Sequence, residues 1–474
     1  MEKYDVIIIG AGSAGLANSG VANLIGLKTL LIEQNKEYFG GDCTNFGCVP
    51  SKALIHIASL FHAAKKAQRF GLEVTGRADM KKVLQYIHEK QEIIRNEEDA
   101  EALSKKGINV EIGFASFTSE KVVQVNNKKF EGRLILLCTG TTPRRIDIPG
   151  LEDISAYTNE NIFFECKKIP EHFIIIGGGP IGCELGQAFA RLGSKVSIIN
   201  KGKRLLNKET EKISRILEER FKEEGIDIYN NTEVAKFENG KAYLKNEKEG
   251  DKQINCDAVL LAVGRKVNIG GFNLEKAGIE ITGEGQIRVN DYLQTTNSKV
   301  YAVGDSAGSY MFSHGAEKMT RQLWRNLLIP IFKKKNTLTD LSWVTFTEPQ
   351  VAHFGLTPNQ LEKRGIKYYR LDQSLHEDDR AIIQEYTYGH ESLWLNDSKD
   401  KLLSGSLISP NAGEMIQELE LAKHANLSVN TITNRVYPYP VQTRINQKTL
   451  RGLTFGSYSN FVKKMARIAF RFFN

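Results

Sequence analysis

Gly40-Gly41-Asp42-Cys43-Thr44-Asn45-Phe46-Gly47-Cys48-Val49-Pro50-Ser51-Lys52 is the stretch around which the rest of the chain can be read. Two cysteines stand five positions apart in a glycine-bounded loop that runs into a helical pattern. Ala53, Leu54, Ile57, Leu60, Phe61 and Ala64 repeat at helix spacing. Pro50 suits a first helical position, where its missing N–H costs nothing. Cys48 is thus expected at or near a helix N-terminus, where unpaired amides and the helix dipole favour a thiolate. Cys43 is close enough along the chain to close a small disulfide with it. A pair that switches between disulfide and dithiol is a two-electron redox centre. Two other readings stay open here: a pair of free buried cysteines, or half of a zinc site. The other cysteines, Cys138, Cys166, Cys183 and Cys256, are scattered singly, and His56 and His62 are not at a helical ligand spacing, so no resident metal is expected.

Upstream, Tyr4 to Ile9 is a short apolar β-rich run leading into Gly10-Ala11-Gly12-Ser13-Ala14-Gly15 and a helical pattern through Leu24. A second strand, Lys28 to Ile32, ends at Glu33. Strand, three glycines, helix, strand and an acid about 20 residues on make a dinucleotide fingerprint. The glycines admit a pyrophosphate to the helix N-terminus, and Glu33 is placed to accept from a ribose. Downstream the pattern recurs: Phe173 to Ile176, then Gly177-Gly178-Gly179-Pro180-Ile181-Gly182, a helix through Leu192, and a strand from Lys195 to Ile199. Two fingerprints imply two dinucleotides. The second strand ends in Asn200-Lys201-Gly202-Lys203-Arg204, with no acid and three cations. A basic residue there suits the 2′-phosphate of NADPH better than the free hydroxyl of NADH. An exposed basic loop is the plainer alternative.

The cysteine segment resembles the active-site signature of the class I pyridine nucleotide–disulfide oxidoreductases, which include glutathione reductase, dihydrolipoamide dehydrogenase and mercuric reductase. The resemblance runs to about Leu450, with motifs in the family's order. It implies an α/β fold: two Rossmann-type dinucleotide-binding domains, for FAD and NAD(P)H, plus an α+β C-terminal dimerisation domain. The expected boundaries are 1–150 for the first part of the FAD domain, 151–270 for the NAD(P)H domain, 271–340 for the completion of the FAD domain, 341–455 for dimerisation and 456–474 for a tail. By resemblance, FAD belongs to Gly10, Gly12, Gly15 and Glu33, with Thr139-Gly140 closing the first part of its domain and Asp305 on the ribitol chain. The helix that takes in Ala316 would face the flavin pyrimidine edge. The nicotinamide cofactor, NADPH or NADH, belongs to Gly177, Gly179, Gly182, Asn200 and Lys201, with Gly264 in the closing Ala262-Val263-Gly264-Arg265 run. Cys48 would be the flavin-facing thiolate and Cys43 the interchange thiol, with Lys52 paired to Glu184 beside the flavin. His314 occupies a position that is usually structural in the family.

The resemblance breaks at the substrate end. Most members finish in His-Pro-Thr-x-x-Glu, the histidine serving as base from the partner subunit. Here the run is Tyr439-Pro440-Val441-Gln442-Thr443-Arg444. A tyrosine with a pKa near ~10 is a poor base at neutral pH, though it can donate a hydrogen bond or help bind a soft metal. His424 does not fit the motif position. Mercuric reductase carries a tyrosine there too, and the stretch from Gln187 to Val196 looks most like that branch. Yet no cysteine follows Cys256 to form its vicinal pair.

These readings converge on a homodimeric flavoenzyme moving electrons from NAD(P)H through FAD and a Cys43–Cys48 disulfide to an acceptor: a disulfide, a soft metal ion or another electrophile. The alternatives are a membrane-associated quinone-type electron-transfer protein and a low-turnover redox sensor. The composition is ordinary, 41% hydrophobic and 25% charged, and no apolar run approaches the ~18–20 residues of a membrane span. With no leader pattern before Tyr4, a reducing cytoplasmic home is expected. A formal net charge of +8 accompanies no nucleic-acid-binding motif. After Ser459, however, Phe461, Met465, Ile468 and Phe472 recur on one helical face, with Val462, Ala469 and Phe473 beside them. Lys463, Lys464, Arg467 and Arg471 gather on the other. Such a tail suits either an acidic membrane surface or the protein's own dimer.

Overall fold

A computed structural model of the chain describes residues 1–248, 250–308, 311–337, 339, 341–455 and 460–473. The chain divides into two compact units, residues 1–203 with 224–338, and residues 204–223 with 339–474.

The first unit is built on two parallel β/α layers, as the two fingerprints require. Glu2–Ile9 is buried along its second half and pairs in parallel with Thr29–Glu33 on one side and Lys128–Leu137 on the other. Near-continuous Ile/Leu/Val runs are what a strand covered on both faces needs. The sheet runs in the order Asn109–Ile112, Thr29–Glu33, Glu2–Ile9, Lys128–Leu137, Val122–Val125, Ala115–Ser119, and Val300–Ala302 joins it beside Lys128–Leu137. That late strand brings the Asp305 region back to the first fingerprint, whose helix is Ser13–Leu24. The second layer orders Asp227–Asn230, Lys195–Asn200, His172–Ile176, Ala258–Leu261 and Ser155–Tyr157, around the helix Pro180–Leu192. The proline-bearing connection after Gly140 is ordered as a two-stranded ribbon, Thr141–Pro143 against Arg265–Val267, joining the two layers.

Three local expectations change. Periodicity reads Lys81 to Lys105 as one long, polar helical pattern, whereas the structure has two helices, Met80–Arg95 and Ala100–Lys105. The break has a cause: the Asp99 carboxylate accepts from the Ala102 N–H at 2.8 Å and so starts a new helix. Cys43 lies not in a loop but in the short helix Gly41–Asn45, entered through Gly40 at φ +85°. Pro50 is the third residue, not the first, of the helix Cys48–Ala67, still within the turn whose N–H groups have no helical acceptor.

The second unit is one antiparallel sheet, Ser342–Thr345, Gln350–Gly355, Leu402–Ser409, His390–Leu395 and Tyr369–Ser374 in that order. The helices Gln417–His424, Val429–Thr433 and Arg444–Phe455 pack on it over a core that includes Phe354, Leu393, Leu407, Leu419 and Ile445. Residues 204–223, with the helix Glu211–Glu223, belong to this unit rather than to the layer that precedes them in sequence.

Candidate active site

In the first unit the two fingerprints have the same construction. Gly10 has φ +104° and Gly177 has φ +122°, and a Cβ on either would run into a carbonyl oxygen of the neighbouring strand's end, Cys138 and Ala262 respectively. Gly12 and Gly179 differ from these. A Cβ on Gly179 would meet nothing within 4 Å, and one on Gly12 only the Gly41 Cα at 3.5 Å. The backbone at both positions is therefore open to a close-approaching group at a helix N-terminus, the setting a pyrophosphate needs. Gly15 and Gly182 sit where each helix packs closest to its strand.

Glu33 ends its strand buried, its carboxylate accepting from the N–H of Ala11 at 2.7 Å and of Gln34 at 2.7 Å. Burial pushes its carboxyl above the ordinary carboxylate range, against backbone hydrogen bonds that pull it down. The carboxylate is thereby fixed at the mouth of the first glycine turn. Asp305 accepts from Thr141 Oγ1 at 3.0 Å, and burial raises its pKa as well. Thr139 and Asn268 exchange two hydrogen bonds, of 3.1 and 2.9 Å, and Gly140 accepts from the Asn268 N–H at 3.1 Å. Gly264 accepts from the Arg144 N–H at 2.9 Å, and Ala316 is buried in the first turn of the helix Ser313–Leu328. Phe312 stacks on His314, ring centroids 5.2 Å apart. An open glycine turn, a buried strand-end carboxylate and a second, half-buried carboxylate make a set of groups that fits FAD.

The cysteines lie on two successive helices, Cys43 within Gly41–Asn45 and Cys48 at the start of Cys48–Ala67. Both are free thiols, Cys43 half-buried and Cys48 exposed. The Cys43 thiol donates to the Cys48 sulfur; with help from Ser313, 3.7 Å away, and from the Lys52 charge, this lowers the Cys48 pKa to about 6 against the partial desolvation of the sulfur by its neighbours. The same pairing drives the Cys43 pKa far up, with burial adding to the rise. Burial raises the Cys138, Cys166 and Cys256 thiols, with the Asp257 charge adding to the rise at Cys166 and Cys256, so Cys48 is poised to ionise where these three are not. Lys52 Nζ lies 2.7 Å from Glu184 Oε2, across 132 positions of sequence. Glu184 is buried on the helix Pro180–Leu192 and holds the lysine one helical turn from Cys48.

Two participants escape the sequence reading. Ser313 opens its helix against Cys48. Arg265 is the other. Its guanidinium donates to Thr141 Oγ1 at 2.7 Å, to the Thr141 carbonyl at 2.9 Å, to Asn159 Oδ1 at 3.2 Å and to Asp42 Oδ1 at 2.8 Å. The motif that contains Arg265 was legible, but its reach to the residue before Cys43 was not.

At the end of the second fingerprint's second strand, Asn200 is buried and donates to Asn230 Oδ1 at 2.8 Å. Lys201 is exposed and pairs with Glu233 at 2.5 Å. Arg204, by contrast, donates to the carbonyls of Asn207 and Glu209 within the second unit.

In the second unit, Tyr439 is exposed, donates to Asp379 Oδ2 at 3.1 Å and lies under the Arg444 guanidinium, 5.3 Å from the ring centroid. The Asp379 bond raises its pKa above the ordinary tyrosine value. Among the described residues no cluster of three or more His, Cys, Asp or Glu side chains is placed to hold a metal ion, and no helix is long and apolar enough to cross a membrane.

Comparison with known proteins matches this architecture. The family profile described as pyridine nucleotide-disulphide oxidoreductase covers residues 4–320, and its dimerisation domain covers residues 341–448. A mercuric reductase of Staphylococcus aureus is 32% identical over 456 residues, 95% of this chain and 82% of that protein. A dihydrolipoyl dehydrogenase of Mycoplasma genitalium is 30% identical over 464 residues, 96% of this chain and 100% of that protein. Among solved structures, the copper(II) complex of a cysteine-to-serine mutant of the HOCl-induced flavoprotein disulfide reductase RclA from Escherichia coli superposes with a TM-score of 0.83 at 25% identity, over 95% of this chain and 99% of that one. Members of the family use FAD and NAD(P)H and pair through the dimerisation domain. This chain belongs to the pyridine nucleotide-disulphide oxidoreductases and is an FAD-dependent enzyme of that family.

Proposed function

We propose that the chain is an NAD(P)H-dependent reductase whose Cys43–Cys48 pair takes up two electrons and delivers them to a soft, thiol-seeking acceptor, a thiophilic metal ion first among them. Bound FAD supplies hydride acceptance from the nicotinamide and two-electron delivery to the cysteines. The protein's own residues do the rest. The open turns at Gly12 and Gly179 take the two pyrophosphates, and Glu33 and Asp305 orient the first dinucleotide. Lys52, held by Glu184, presents a cation beside the reacting region.

The observation that carries the reading is the asymmetry of the cysteines. Cys48 opens its helix with Ser313 Oγ 3.7 Å from its sulfur and Lys52 one turn on, a setting that pulls its pKa down, whereas pairing with Cys48 and burial push that of Cys43 up. Opening a Cys43–Cys48 disulfide with two electrons and one proton leaves that state: a thiolate on Cys48 and a thiol on Cys43. A soft metal ion bound by sulfur needs no general base beyond thiol ionisation, whereas turning over a disulfide substrate needs its leaving thiol protonated. Tyr439, tied to Asp379 with a raised pKa, is no replacement for the usual histidine. The names of the relatives agree in direction, since one reduces mercuric ion and another is seen with copper(II).

The test is anaerobic titration of the holoenzyme with NADPH, followed by an acceptor panel of Hg(II), Cu(II), glutathione disulfide and lipoamide. Metal-dependent NADPH oxidation that is lost in both Cys43→Ser and Cys48→Ser supports the proposal. Oxidation that survives both substitutions, or turnover confined to the disulfides, overturns it.

A further inference from the structure

The C-terminal helix Asn460–Phe473 differs from every other long helix of its unit. The preceding helix, Arg444–Phe455, buries Ile445 and Leu450 completely in the core. In the C-terminal helix, residues 461–472 are all exposed, with Phe461 at 70%, Phe470 at 71% and Phe472 at 81%. Large apolar side chains left in water along a whole helix mark an interaction surface.

Its chemistry narrows the partner. At about 100° of turn per residue, the cations Lys463, Lys464, Arg467 and Arg471 fall within an arc of about 100°, and the apolar residues fill about 200° of the rest. Phe461, Val462, Met465, Ile468, Ala469 and Phe472 fall within about 120° of that apolar arc. The helix contains no acidic residue. Its 14 residues extend about 21 Å, short of the ~30 Å hydrocarbon core, and the four cations forbid burial end to end. A helix lying in the plane of the interface satisfies both halves: the aromatic and aliphatic arc enters the acyl boundary while the cations meet lipid phosphates. A second copy of the chain is a poorer electrostatic match, because the chain carries a formal net charge of +8 and the helix adds cations alone.

We infer that this helix is a peripheral anchor for an anionic bilayer surface, placing the reductase at a membrane without spanning it. The inference is independent of which acceptor the active site uses.

Flotation of the full-length holoenzyme with liposomes tests it directly. Vesicles of phosphatidylcholine with 30% phosphatidylserine are compared with phosphatidylcholine alone, at low and high salt. The protein should float with the anionic vesicles only, and high salt should release it. Two variants keep the fold's core untouched: Lys464→Gln with Arg467→Gln, and Phe461→Ser with Phe472→Ser. Each lost cation should lower the partition coefficient about fivefold, and the double phenylalanine variant should abolish flotation while NADPH oxidation and dimer size stay as in the parent. Failure of the parent to float with anionic vesicles overturns the inference. So does equal flotation with neutral vesicles. Dissociation of the dimer by the phenylalanine variant also overturns it, since the helix would then be an element of the dimer.

Discussion

Arg265 Nη2 stands 2.8 Å from Asp42 Oδ1, joining the strand that leaves the nicotinamide-binding layer to the residue beside Cys43. The guanidinium is nearly buried and Asp42 is 41% exposed, so the pair has one desolvated partner and one wet one. Through Thr141 the same guanidinium reaches Asp305, and so a single side chain ties the cysteine turn, the linker ribbon and the half-buried Asp305 carboxylate together. Asp42 pushes the Cys48 pKa up, and Arg265 offsets that charge. In Arg265→Gln the Cys48 pKa should therefore rise, and in Asp42→Asn it should fall. Breaking a fully buried pair costs about 3–5 kcal/mol; with Asp42 partly solvated, about 1–2 kcal/mol is expected for Arg265→Gln, read as a lower melting temperature. An unchanged Cys48 titration in both variants would show that the pair does not act on the cysteines.

The thiolate itself has a pH signature. Cys48 is an acid whose pKa is depressed to about 6 from an ordinary thiol value of about 8.5, so in reduced enzyme the thiolate is favoured at neutral pH. Alkylation of Cys48 by iodoacetamide, followed by mass spectrometry, should rise with a midpoint near about 6. Ser313→Ala removes one hydrogen bond to the charged form. At about 1.4 kcal/mol for such a bond, the midpoint should move up by about one pH unit. A parent midpoint above 8 would contradict the site description.

We propose that a preference for NADPH over NADH would rest on Lys201, whose partner Glu233 would compete with a bound phosphate. Both side chains are exposed, so the pair is worth about 0–1 kcal/mol and yields readily. Lys201→Glu should lower kcat/KM for NADPH relative to NADH, and Glu233→Gln should raise it. If both variants leave the ratio alone, the preference is set elsewhere.

Tyr439 should behave as a neutral phenol throughout the working pH range, because the Asp379 hydrogen bond raises its pKa further. Tyr439→Phe should leave the pH profile between 6 and 9 without a lost limb. Activity with lipoamide or glutathione disulfide should fall about 10²–10⁴-fold short of the histidine-bearing relatives, the usual worth of general acid–base catalysis. A limb that disappears in Tyr439→Phe would make the tyrosine a titrating catalyst after all.

What the sequence made legible follows from what is local. A glycine fingerprint is a strand, a turn and a helix in succession, and each step is dictated by neighbouring residues; Gly10, Gly12 and Glu33 with Gly177 and Gly179 could be placed that way. The break at Asp99 was also local, a capping side chain followed by helix formers, but the flanking pattern hid it. Lys52 with Glu184 was placed together by resemblance alone, since no property of either residue points across 132 positions. Arg265 with Asp42, 223 positions apart, and Ser313 with Cys48, 265 apart, had no such guide. These contacts arise only when separate layers close on one another, so no local periodicity records them. The assignment of residues 204–223 to the second unit is of the same kind.

The central claim is that Cys48 carries the thiolate and Cys43 the exchanging thiol, and it is tested most directly by the visible spectrum of the reduced single-cysteine variants. In Cys43→Ser holoenzyme, Cys48 should ionise beside the flavin, with Ser313 and Lys52 still favouring the thiolate, and give a long-wavelength absorbance band that is lost on acidification. In Cys48→Ser the band should be absent at every pH. A band in Cys48→Ser and none in Cys43→Ser would contradict the account and exchange the roles of the two cysteines.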